Sequence, residues 1–185
     1  IRFDGKVYPV DDAAKTPFAA VTFFYPAKAV ALPAGMDYLG LQKYLDSLFS
    51  SPNLIYAIKI TGEFSVLKTR SVAKQAKPYP KLMDATKNQA VFEFENVQGA
   101  CVGFYFPKYM SSLNVPGYHF HFINAERTAG GHILDCRVKN AKVEIDVVSD
   151  FQMCLPKNEL FLNQELSPGK SQELAQAETV GKKVN

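Results

Sequence analysis

The chain has 185 residues, 47% of them hydrophobic and 12% aromatic, enough for one sizeable core and far from the composition of a disordered polypeptide. Lys+Arg of 21 against Asp+Glu of 18 leaves a net charge of +3 with no basic block, which argues against nucleic acid as a partner. No apolar run reaches the roughly 18 residues of a membrane span, and the first residues do not read as a signal peptide.

Residues 1–10 read as a short hairpin or edge strand, with Asp4-Gly5 as a turn followed by Val7 to Val10. Pro17 to Tyr25 is almost continuously apolar, the pattern of a strand buried on both faces. Asp37 is placed to cap a helix over 37–49, where Tyr38, Leu41, Leu45, Leu48 and Phe49 form one apolar stripe; Ser51-Pro52-Asn53 stops it. Leu54–Ile60 and Phe64–Arg70 predict two strands turned by Thr61-Gly62-Glu63. Residues 73–89 are polar, contain Pro78-Tyr79-Pro80, and read as a loop with a short helical turn.

From Ala90 the pattern predicts hairpins: 91–95 and 100–106 about Asn96–Gly99, then 135–139 and 142–148 about Asn140. Phe151–Leu155 reads as a last strand, and Ser171 caps a short helix over 172–178. The predicted class is α+β and β-rich, with mixed and antiparallel sheets, one main helix and a short C-terminal helix. Residues 1–89 make an N-terminal half with helix 37–49. Residues 90–185 make an antiparallel half carrying the histidines, closely packed on the first. Cys101, Cys136 and Cys154 lack CxxC spacing and read as buried free thiols, which favours a reducing, cytoplasmic setting. Secretion stays open, because the chain begins without Met, as a processed chain would.

All three histidines fall between positions 119 and 132. In a strand over 118–123, His119 and His121 share one face while Phe120 and Phe122 fill the other. Thr128-Ala129-Gly130-Gly131 supplies turn chemistry, and His132 opens the returning strand. Three imidazoles on one side of a hairpin suit zinc or another divalent metal, with positions left for a carboxylate, water or substrate. Tyr118 and Tyr105 are candidates for the pocket wall, and Asp135 for a carboxylate behind a ligating histidine.

The segment Asn114-Val115-Pro116-Gly117-Tyr118-His119-Phe120-His121-Phe122-Ile123, followed by Arg127 to Asp135, resembles the alpha-acetolactate decarboxylase family. Asp4 to Tyr8, Thr16 to Ala19, and Gly62 to Val72 with Pro78-Tyr79 are similar in the same order. The resemblance implies two packed α/β layers and a homodimer. It implies His119, His121 and His132 as zinc ligands, Arg70 as the active-site arginine, and Glu178 as a carboxylate reaching the metal. The implied reaction converts the small molecule 2-acetolactate to acetoin and carbon dioxide without an organic cofactor. The family places a second glutamate in a Leu-Asp-Gly-Glu segment ahead of the strand that Ile1 would begin, and this sequence starts after that point.

The chemistry suits these residues. Decarboxylation leaves an electron pair between a hydroxyl and a ketone carbon, as an enediolate that a Lewis-acidic ion can stabilise. Neutral imidazoles leave the ion's charge undiminished. A guanidinium fork at Arg70 suits a carboxylate, and Glu178 can ligate the metal or deliver the proton that makes the product chiral. Two other readings stand beside this one. The first is a catalytically weak metal-binding relative that takes up a hydroxy-keto acid. The second is a cupin-like metalloenzyme, disfavoured because His132 follows too soon and Glu126 sits in a turn.

Overall fold

The computed structural model describes residues 1–163 apart from positions 15, 17 and 81; the expected helix 172–178, and Glu178 with it, lie outside the described residues. Long strands dominate the regular structure of the described chain. In chain order the elements are β1 (Lys28–Ala31), α1 (Tyr38–Leu48), β2 (Ile55–Ser71), α2 (Leu82–Lys87), β3 (Ala90–Phe106), β4 (Gly117–Asn124), β5 (Gly130–Val148) and α3 (Glu159–Leu162). They form one sheet in the order β1-β5-β2-β3-β4, with every pairing antiparallel. A further β4–β5 pairing closes β5, β2, β3 and β4 into a ring. β2, from the first half of the sequence, lies between β5 and β3, from the second, so both halves share this sheet.

The main helix forms where the stripe predicts it. The Asp37 carboxylate accepts the Gly40 N–H at 2.7 Å, satisfying a first-turn donor, and Tyr38, Leu41 and Leu45 are buried against the sheet. The same cluster takes in Phe64, Leu67, Phe120, Phe122 and Val143. At the end of α1, Phe49 stacks on Tyr56 with ring centroids 3.8 Å apart.

Three expected hairpins are instead three continuous strands. Thr61–Glu63 does not reverse β2, Asn96–Gly99 does not reverse β3, and Asn140 does not reverse β5. The register explains why turn chemistry appears there: Gly62 pairs with Gly99 on one side and Ala141 on the other, while Glu63 pairs with Gln98 and Asn140. The turn-forming residues form one line across the sheet, where the β2–β5 register slips. A bulge with its extra local twist needs the same residue types as a turn. Gly62 has φ +152°, and a Cβ there would run into the Asn140 carbonyl oxygen.

Two apolar segments also depart from expectation. Residues 18–25 are not a buried strand; Val21 is 89% and Phe23 85% exposed. Both sides of β2 are taken by β3 and β5, and the far edge of β5 by β1, so the sheet interior offers that segment no place. β1 itself was not expected, because a four-residue edge strand with one partly buried side chain carries little periodicity. Phe151–Leu155 likewise forms no strand. Residues 7–10 form none either; beside them only an isolated Lys6–Ala129 bridge joins the ends of the chain's first turn and the later hairpin. Cys101 and Cys136 are buried free thiols as expected, whereas Cys154 is exposed. No described helix is long and apolar enough to cross a membrane.

Candidate metal centre

β4 alternates as its sequence requires. Phe120 and Phe122 enter the core, and His119 and His121 stand on the other face. The turn after β4 is held by the Asn124 side-chain oxygen, which accepts the N–H groups of Thr128 and Ala129 at 2.8 and 2.9 Å. The amino-terminal segment pins the turn from outside: Val7 N–H donates to Thr128 O at 3.0 Å, and Gly130 N–H to Gly5 O at 3.1 Å. β5 then returns with His132 directly opposite His121.

Gly131 makes the next approach feasible. At φ +153°, a Cβ on it would lie 2.6 Å from the Arg70 carbonyl oxygen, so only glycine lets β2 come this close. The result is a row across three strands: His121 opposite His132, and His132 opposite Arg70. Directly opposed residues project to the same side of a sheet.

The three rings converge. His119 Nε2 lies 3.1 Å from His121 Nε2, and the two rings are nearly parallel at 3°. His132 meets them edge-on, with centroids 4.7 Å from His119 and 5.3 Å from His121. One nitrogen from each lies within 4.8 Å of the others. Two ligand nitrogens on a tetrahedral zinc are roughly 3.4 Å apart, so this set fits a divalent ion after small ring rotations. Electrostatics agree with the geometry. His121 keeps an open edge, yet its pKa is lowered from 6.5 to about 4, first by desolvation and then by His119, Arg70 and the N-terminal ammonium. A neutral imidazole is the form that ligates metal.

Arg70 is 5% exposed, and its Nη1 donates to the Gln89 side-chain oxygen at 2.9 Å. Its charge acts on His121, so guanidinium and imidazoles share one electrostatic neighbourhood. A half-open cavity of about 670 Å³ is lined by His119 and His121, with His132 and Arg70 outside its lining. Val102 and Phe104, opposite His121 and His119 on β3, line it with Lys59 beside them, and residues 18–22 with Phe24 line its other side.

The structure therefore brings together His119, His121, His132 and Arg70; Glu178 lies outside the described residues. Other candidates stand elsewhere. Tyr118 turns to the helix side, where its hydroxyl donates to Asp46 Oδ1 at 2.7 Å, and Tyr105 packs against it there with centroids 5.1 Å apart. The Asp135 side chain accepts its neighbour's N–H, that of Cys136, at 2.8 Å. Glu126 and Arg127 lie in the exposed turn. Sequence reasoning missed Gln89, hidden in a polar stretch with no spacing signal, and it missed the cavity lining because residues 18–24 imitate a core strand.

Fold and site define a class: a β-rich chain whose closed antiparallel sheet presents three imidazoles and a buried arginine at one end. Comparison with known proteins makes the assignment specific. The profile of the family described as alpha-acetolactate decarboxylase matches residues 1–168. Alpha-acetolactate decarboxylase of Methanosarcina mazei is 44% identical over 178 residues, covering 96% of this chain and 62% of the relative. That of Brevibacillus brevis is 42% identical over 175 residues, covering 95% and 61%. The crystal structure of alpha-acetolactate decarboxylase from Bacillus subtilis strain 168 superposes with a TM-score of 0.92 at 36% identity, covering 98% of this chain and 77% of that one. The chain belongs to the alpha-acetolactate decarboxylase family, and it spans about three fifths of the length of these curated relatives.

Proposed function

We propose that the protein decarboxylates 2-acetolactate to acetoin and carbon dioxide, using a divalent metal, zinc first among them, at His119, His121 and His132. The observation that carries this reading is the convergence of three imidazole nitrogens within 4.8 Å, in a chain of this family. The ion supplies Lewis-acid stabilisation for the electron pair left when the carbon–carbon bond to the carboxylate breaks.

The chain's own residues do the rest. Arg70, nine-tenths buried beside the histidines, holds the substrate carboxylate or a developing enediolate oxygen with parallel N–H donors. Its planar fork is the reason Lys is a poor substitute. Residues 18–22 with Phe24 on one side, and Val102 and Phe104 on the other, limit water around the reacting carbon, so that one face receives the proton. Glu178, by the family resemblance, donates that proton or completes the metal's ligands. The exposed apolar segment holding Val21 and Phe23 supports a homodimer as the working assembly, with that segment covered by the second copy.

A second reading has a specific motive. The chain spans 61% of its Brevibacillus brevis relative. Without the glutamate that the family places ahead of Ile1, the site would bind metal and a hydroxy-keto acid with little turnover. Incubation of the metal-loaded protein with racemic acetolactate separates the two. Acetoin above the spontaneous rate, with one enantiomer in excess, supports the decarboxylase. Stoichiometric metal with no acetoin beyond background, in the full-length chain, sinks it in favour of the binding protein.

A further inference from the structure

Gln89 reaches Arg70 from a different part of the chain. It sits between α2 and β3, and its backbone N–H donates to Thr86 O at 3.3 Å, fixing it to the end of the helix. Immediately afterwards Ala90 pairs with Ser71, and Val91 pairs with Arg70. Alternation puts Gln89 on the same side as Val91, and hence as Arg70, one diagonal step along the ladder. That placement brings the Gln89 side-chain oxygen 2.9 Å from Arg70 Nη1.

Its amide is a neutral acceptor. A carboxylate here would accept from the guanidinium equally well, but it would add a negative charge beside the place proposed for an anionic substrate. We propose that Gln89 is a positioning residue for substrate binding: its amide aims the Arg70 fork without adding a negative charge that would repel a carboxylate. The inference rests on the assignment of Arg70 to the substrate carboxylate, and it adds a requirement for neutrality at position 89.

The test uses metal-loaded full chain and an unreactive 2-hydroxy acid, 2-hydroxy-2-methylpropanoate, with its affinity read by calorimetry alongside metal content and KM for acetolactate. Gln89→Glu keeps the acceptor and adds the charge; Gln89→Met keeps the length and removes the acceptor. Expected for Gln89→Glu is unchanged metal content and thermal midpoint, with affinity for the hydroxy acid weakened about tenfold or more and KM raised in step. Gln89→Met weakens binding as well, by misaiming the fork. Wild-type affinity in Gln89→Glu overturns the neutrality requirement, and wild-type affinity in Gln89→Met overturns the positioning role. Arg70→Lys, run beside them, distinguishes the failures: wild-type affinity in that variant removes Arg70 from the substrate, while weakened Arg70→Lys with normal Gln89 variants removes only Gln89.

Discussion

On β4, Phe120 and Phe122 are 1% and 2% exposed, while His119 and His121 alternate with them on a face open to the cavity. Neighbours in sequence thus serve different ends. The phenylalanines join the cluster that includes Phe64, Leu41 and Leu45, and their contribution is cohesion. The histidines are half-buried at His119 and His132 and open at one edge at His121, and their value lies in three nitrogens converging. The same strand can be damaged in two independent ways, and each kind of damage should leave the other property intact.

The histidine face gives the largest contrast. His121→Ala or His132→Ala should take metal content from about one ion per chain to near zero, because two imidazoles cannot hold what three do. The metal-free variants should unfold close to where the metal-free wild type does. Elemental analysis paired with urea unfolding checks both halves, and full metal in either variant excludes that histidine as a ligand. The core face should behave in reverse. Phe122→Ala removes a ring that meets Phe64 edge-on at 6.1 Å and Phe94 at 5.8 Å, and should cost about 3–5 kcal/mol. Folded Phe122→Ala, measured cold, should still bind metal.

A third perturbation lies at a distance from both faces. Gly62 sits on the line where β2, β3 and β5 all carry turn-forming residues, and it has no space for a Cβ. Gly62→Ala should destabilise by about 1–3 kcal/mol through backbone strain and displacement of Asn140. Metal affinity should change little, since Ala141, the β5 partner of Gly62, lies nine positions along the strand from His132. A neutral Gly62→Ala would mean that the irregularity does not need glycine.

The legible parts of this molecule are those with local causes. Helix α1 is visible because a stripe, a cap and a stop agree over a dozen positions. The histidine hairpin is visible because alternation on β4 and turn chemistry at Asn124 and Thr128 are both short-range. What escaped depends on neighbours far along the chain. Gly62, Asn96–Gly99 and Asn140 each look like a reversal alone; only their alignment across three strands makes them one irregularity in a continuous sheet. Residues 18–25 look like core, but core status depends on a vacant place in the sheet, and β1, β2 and β3 leave none. Arg70 was identified by resemblance, whereas its partner Gln89 is invisible until β2 and β3 pair.

The smallest expected effect is in acid, and it separates the two faces by slope instead of amplitude. In the folded protein His121 resists protonation, with its pKa brought from 6.5 to about 4, so between those values the unfolded chain holds a proton that the folded chain refuses. The stabilising contribution of neutral His121 is therefore complete above pH 6.5 and is lost as pH falls through 4. Urea midpoints of the metal-free protein should fall across that window. His121→Gln, which cannot titrate, should flatten that part of the curve. Phe120→Leu should lower the whole curve and keep its slope, because the core face carries no proton. A slope unchanged by His121→Gln would place the acid sensitivity elsewhere and would show that the imidazole is not held neutral by its surroundings.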